Sequence, residues 1–272
     1  MLERLFPSLL DGASPVAAAA SATGFTFFMT AVGAAIVLLP GRIHNAFMQT
    51  ISLGFAAGVM VAASVWSLLL PAMAMVEARG ESPLLPAVGG FLLGVAFIFL
   101  LDRFMPHMHP MSSESEGPKT KLARSTLLFL AVTLHNIPEG MSVGLSIGMA
   151  ADDPTLLAGA LALALGMGIQ NIPEGAAVAL PLLQDGMSRG KAFLAGAFSG
   201  LAELVFGVLA VLLVGTTGVL LPWFLAFAAG AMIYVVVEEL IPAAHLTEHS
   251  DAGTLSVVAG FVVMMALDVG LG

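Results

Sequence analysis

The chain has no cysteine, which excludes disulfides and thiolate metal ligands anywhere along its 272 residues. Charge is scarce as well. Asp, Glu, Lys and Arg make up only 10% of the sequence, against roughly 25% in soluble domains. With 58% hydrophobic residues and a mean hydropathy of +1.00, the composition is that of an integral membrane protein. No polar stretch exceeds the length of a long loop, so no soluble domain is expected. Basic residues are the rarer sign: nine Lys and Arg against eighteen Asp and Glu, a net charge of −9. That balance leaves no basic surface for nucleic acid, and no nucleic-acid partner is expected. The opening MLERLFPSLLDGASP lacks the basic region and apolar run of a signal peptide and is expected to form a short surface helix.

What is present is apolar sequence in long runs. A helix needs about 20 predominantly apolar residues to cross a bilayer. The chain accordingly predicts an all-α membrane protein, a single polytopic domain over 1–272. Its eight transmembrane segments fall at 16–40, 46–76, 84–105, 122–150, 155–184, 190–215, 218–246 and 252–271. Turn-forming sequence separates them at Pro40-Gly41, Gly80 to Pro83, Asp152 to Pro154 and Asp185-Gly186. The longest break, 106–121, is rich in Pro, Ser and Gly and is expected to be a flexible cytoplasmic loop. Loops after the odd-numbered segments hold Arg42, Arg103, Lys119, Lys121, Arg124, Arg189 and Lys191, whereas the opposite side holds only Arg4 and Arg79. The positive-inside rule then places both termini outside the cytoplasm.

Against this background the pentapeptide NIPEG occurs twice, in HNIPEG at 135–140 and QNIPEG at 170–175. Helix positions i and i+4 share a face, so His135 and Glu139 point one way in segment four, as do Gln170 and Glu174 in segment five. The motifs begin about a dozen residues into their segments, close to the bilayer midplane at 1.5 Å per residue. Segments four and five run antiparallel, an arrangement like an inverted repeat with a site at its centre. Opposed faces would bring His135, Asn136 and Glu139 against Gln170, Asn171 and Glu174. Pro138 and Pro173 cannot donate to the carbonyls of Leu134 and Ile169, so each helix is expected to kink there. Gly140 and Gly175 would permit close helix approach. Segment six adds Glu203 at similar depth.

Three buried carboxylates cannot all stay ionised in a low dielectric; they must bind protons or cations. His nitrogen, amide oxygen and carboxylate together suit Zn²⁺, Cd²⁺, Fe²⁺ or Mn²⁺. The surplus of carboxylates suits two ions bridged by Glu139 and Glu174. Met60, Ser64 and Ser67 share one face of segment two. Met60 is either a thioether ligand for a soft ion or a filler of a helix interface.

These residues resemble the ZIP (Zrt/Irt-like protein) family of divalent-metal transporters, the bacterial GufA-like branch in particular. HNIPEG, QNIPEG and the SGLAE of segment six carry the resemblance, together with the eight-segment layout and the polar loop after segment three. Many members carry His where this chain has Gln170. The resemblance implies uptake of Zn²⁺, with Cd²⁺ as a surrogate, toward the cytoplasm across a bacterial inner membrane. It assigns His135, Glu139, Gln170 and Glu174 to one ion position, with Met60 as an added ligand. Asn136, Asn171 and Glu203 go to the other, the two glutamates bridging. An elevator-like movement of the helix bundle is associated with the family.

Further residues mark a path. Asp102, His107 and His109 at the inner end of segment three, with Glu238, Glu239, His245 and His249 at the inner end of segment seven, read as a cytoplasmic release patch or as ordinary interfacial charge. Asp268, with Ser67, reads as an entrance. Gly- and Ala-rich faces are compatible with a homodimer, as in any packed bundle. A gated metal channel and a membrane-embedded metalloenzyme are the competing functions. The absence of HExxH, and a ligand supply exceeding the three plus water of a catalytic zinc site, count against the enzyme.

Overall fold

A computed structural model describes residues 14–39, 46–104, 124–152, 154–214, 219–244 and 251–271. The expected N-terminal surface helix, the loop 106–121, and His107, His109, His245 and His249 lie outside those residues. The described chain is helical, with no strand among its described residues. Its elements are α1 (Pro15–Ala34), α2 (Ala46–Ala63), α3 (Leu70–Glu77), α4 (Leu84–Phe104), α5 (Arg124–Asp152), α6 (Leu157–Gln184), α7 (Arg189–Ser199), α8 (Leu201–Val214), α9 (Leu221–Val235), α10 (Ile241–Ala244) and α11 (Asp251–Leu271). Segment two comprises α2 and α3, segment six α7 and α8, segment seven α9 and α10. Six stretches of the described chain are long and apolar enough to cross a membrane unaided. The remaining two segments, α5 and α6, have 29 and 28 residues, about 40 Å at 1.5 Å per residue. They carry the polar motifs. The protein is an all-α integral membrane protein.

Interruptions in the helices do not fall at the motif prolines: α5 continues through Pro138 and α6 through Pro173. Among the described residues they fall at three other places. Segment six breaks at Gly200, between α7 and α8. Segments two and seven each open into a π-helical turn, Ser64–Leu69 and Val236–Leu240. In these turns Leu70 N–H donates to the Val65 carbonyl and Ile241 N–H to that of Val236. Both turns directly precede a proline at the second residue of the next helix, Pro71 and Pro242. A proline cannot donate to the i−4 carbonyl, and a widened turn accommodates the mismatch. The first turn carries Ser67 and the second Glu238 and Glu239.

Packing partners follow an exchange rule. Segment one (α1) lies chiefly on α6, and segment six (α8) on α5; segment two (α2) lies on α11, and segment seven (α9) on α4. Exchanging segments one to three with six to eight, and four with five, maps this set of contacts onto itself. The paired π turns obey the same exchange. The inverted-repeat character read from segments four and five therefore extends through the bundle.

Small residues let these pairs close. Where a side chain would begin at Gly175 lies the Thr30 carbonyl of α1, and at Gly140 the Glu203 backbone of α8. Without a hydrophobic driving force between helices in lipid, such backbone proximity is a main source of association. Gly175→Ala would drive a methyl into a backbone carbonyl and should destabilise the fold by about 1–3 kcal/mol. Gly24→Ala, which meets nothing within 4 Å, should leave it unchanged. Thermal loss of monodisperse protein in detergent measures both.

Candidate metal site

The two NIPEG copies face one another across the interface of α5 and α6. His135, Asn136 and Glu139 from α5 and Gln170, Asn171 and Glu174 from α6 are all buried. Glu203 enters from the first turn of α8, where the helix break leaves an N-terminus that favours negative charge. Met60 of α2 is fully buried in the apolar core. Electrostatically, Glu139 lies within reach of Glu174 and Glu203, and Glu174 within reach of Glu203 and Glu239. The structure thus brings the expected carboxylates together. Among the described residues, however, no three His, Asp or Glu side chains converge as a ready metal cage. A cation held here would have to take amide oxygens among its ligands.

Hydrogen bonds divide these groups into two classes. Glu203 is satisfied at both oxygens: Thr30 Oγ1 donates to Oε1 at 3.1 Å and Asn171 Nδ2 to Oε2 at 2.7 Å. Glu139 is bare at both oxygens, as are Asn136 Oδ1 and Gln170 Oε1. Neighbouring bonds account for the amide orientations. Asn136 Nδ2 donates to the Ser199 carbonyl at 2.9 Å, at the end of α7 where the helix breaks, so its oxygen faces away, unpartnered. Gln170 Nε2 donates to Asn171 Oδ1 at 2.7 Å, which leaves Gln170 Oε1 bare. A buried unsatisfied acceptor costs about 1–3 kcal/mol. Four of them on three residues form a concentration of negative potential that a cation would relieve.

His135, buried in α5, has an acidic neighbour from segment seven. Its Nε2 faces Glu239 Oε1 at 3.5 Å. Glu239, expected at the inner exit, is buried, and the π turn of segment seven carries it to the edge of the central cluster. Its neighbour Glu238 is exposed. Asp102 is buried near the end of α4.

A cavity of about 270 Å³ opens at the end of the bundle where α5 passes to α6, and Ser67, Ser146, Met149 and Asp268 line it. Ser67 Oγ donates to Asp268 Oδ1 at 2.7 Å, while Asp268 Oδ2 and Ser146 Oγ have no partner. The expected pairing of Ser67 with Asp268 is therefore present.

Sequence reasoning missed the contribution of segment one, which carries no ionisable residue. Thr23, Thr26 and Thr30 are buried there, and the Thr26 carbonyl accepts from Asn171 Nδ2 at 3.2 Å. The signal was legible: threonines at i, i+3 and i+7 line one face of an otherwise apolar helix.

Comparison with known proteins agrees with this geometry. A family model described as ZIP zinc transporter matches residues 111–268. A zinc transporter ZIP11 of Xenopus tropicalis is 36% identical over 97% of this chain and all of its own length. The zinc transporter GufA of Myxococcus xanthus is 37% identical over 89% of this chain and 94% of its own. The zinc transporter ZIPB of Bordetella bronchiseptica is 39% identical over 90% of this chain and 79% of its own. With buried glutamates on two NIPEG helices and relatives matched over nearly its full length, the chain belongs to the ZIP zinc transporter family.

Proposed function

We propose that this protein carries Zn²⁺, and related ions such as Cd²⁺, across a bacterial inner membrane toward the cytoplasm through a two-ion site between α5 and α6. The observation that carries the proposal is the set of four bare acceptor oxygens on Asn136, Glu139 and Gln170. Glu139 is one bridging carboxylate. Glu174 is the second bridge, and Asn171 with Glu203 completes the far position. Similarity to bacterial zinc transporters supports the inner membrane and the metal. The excess of basic residues in the loops after odd-numbered segments supports termini outside the cytoplasm.

Geometry supports an order of events. An ion enters by the cavity of Asp268, Ser67 and Ser146, sheds water at hydroxyl and carboxylate oxygens, and reaches the glutamates between α5 and α6. Glu239, facing His135, is the first acidic group beyond the site in segment seven. Asp102 and Glu238 extend the exit.

Uptake into proteoliposomes, Zn²⁺ and Cd²⁺ side by side, tests the reading. Wild type should show saturable uptake, and Glu139→Ala or Glu174→Ala should abolish it. Flux that does not saturate would indicate a channel instead, and stoichiometric binding without flux an enzyme or sensor.

Two further outcomes follow from the same geometry. Carboxylates that hold no ion in this dry interior hold protons, so Zn²⁺ binding should release protons, and apparent affinity should rise with pH. Calorimetry in two buffers of different ionisation enthalpy should give different heats; identical heats would contradict the linkage. Asp268→Ala should raise the apparent KM more than it lowers the maximal rate. Unchanged kinetics would remove Asp268 from the path.

A further inference from the structure

We infer that Thr30, on segment one, is a positioning residue that holds Glu203 in place for the second ion. The inference rests on the two-ion reading and adds to it a residue that carries no charge and coordinates nothing itself.

Four groups from three segments close a ring of hydrogen bonds. Thr30 Oγ1 donates to Glu203 Oε1 at 3.1 Å, and Asn171 Nδ2 donates to Glu203 Oε2 at 2.7 Å. The same Asn171 nitrogen donates to the Thr26 carbonyl at 3.2 Å, and Thr30 Oγ1 lies 3.2 Å from that carbonyl. Thr30 and Glu203 are both buried, so water does not compete for either. Gln170 Nε2 anchors the ring from outside by donating to Asn171 Oδ1.

Ordinary back-bonding does not explain Thr30. A serine or threonine inside a helix commonly donates to the i−4 carbonyl. Here Thr23 does so at 2.7 Å, Thr133 at 2.7 Å and Ser64 at 2.8 Å. The corresponding Thr30 distance is stretched to 3.2 Å, and the hydroxyl is shared with Glu203 instead. Its rotamer has little freedom. The Thr30 carbonyl occupies the space beside Gly175, and its Cβ and Oγ1 stand 2.9 Å from where a side chain on Gly200 would begin. Both glycines adjoin the site, one ending QNIPEG and the other marking the break before Glu203. Segment one is thus clamped so that its hydroxyl meets a carboxylate.

A carboxylate has lone pairs enough to accept from Thr30 and still bind a cation. Groups behind a metal ligand orient it and tune its basicity, and their loss typically costs 10–100-fold in metal affinity. Glu203 is the ligand that depends most on such support, because it stands alone on α8 without a second motif residue beside it.

Equilibrium dialysis of the full-length protein in detergent against Zn²⁺, with bound metal counted by elemental analysis, tests the role. Wild type should bind two ions. Thr30→Val, which keeps the shape and removes the hydroxyl, should weaken one of them by about 10–100-fold and leave the other at its wild-type affinity. Thr30→Ser should restore the weakened ion, a rescue that loss of packing would not show. Where the valine variant does not fold, Thr30→Ala carries the same expectation. Two ions bound by Thr30→Val at wild-type affinity would overturn the role of Thr30 while leaving the two-ion site intact. One ion bound by the wild type would overturn the two-ion reading and this inference with it.

Discussion

The structure turns on an excess of acceptor oxygens over donors in a place that water does not reach. Three glutamates and three amides meet between α5, α6 and α8, and the donors present serve only part of them. Glu203 takes those available from Thr30 and Asn171, and Glu139 goes without. An apolar membrane protein with a neutral core would be easier to stabilise. Such an imbalance persists in a fold only where another species, a proton or a cation, restores neutrality.

The rest of the bundle holds that imbalance in place. Glycines at 140 and 175 bring α8 and α1 against the motif helices at backbone distance, so that Glu203 and Thr30 meet beside the motifs. The break at Gly200 ends α7 at the Ser199 carbonyl, which orients Asn136, and starts α8 just before Glu203. One interruption thereby supplies both an amide anchor and a helix N-terminus. The π turns of segments two and seven act in parallel at the periphery: one presents Ser67 to Asp268, and the other presents Glu239 to His135. Their matching positions follow the exchange that relates the two halves of the bundle.

The donor set matches a transported ion in its variety. Carboxylate, amide oxygen and imidazole are individually hard or borderline ligands, and no thiolate is available to hold a soft metal permanently. Four acceptor oxygens on Asn136, Glu139 and Gln170 stand bare, while both Glu203 oxygens and Asn171 Oδ1 accept bonds from other protein groups.

The helical segments, the apolar character of the chain, the doubled motif and the burial of its glutamates were all legible in the sequence. They depend on composition and on helical spacing, which are local properties. The same holds for the Gly140 and Gly175 contacts, since a small residue beside a polar motif already indicates close approach. Other features were decided only by tertiary structure. Pro138 and Pro173 lie within continuous helices, and the interruptions fall elsewhere, at Gly200 and at the two π turns. Glu239, expected at the exit, meets His135 from a π turn that the sequence did not signal. Thr30 carried no chemical signal beyond its spacing, because a hydroxyl in an apolar helix ordinarily turns to its own backbone. Which partner such a group chooses depends on what another segment places within 3 Å or so of it. No single stretch of sequence contains that information.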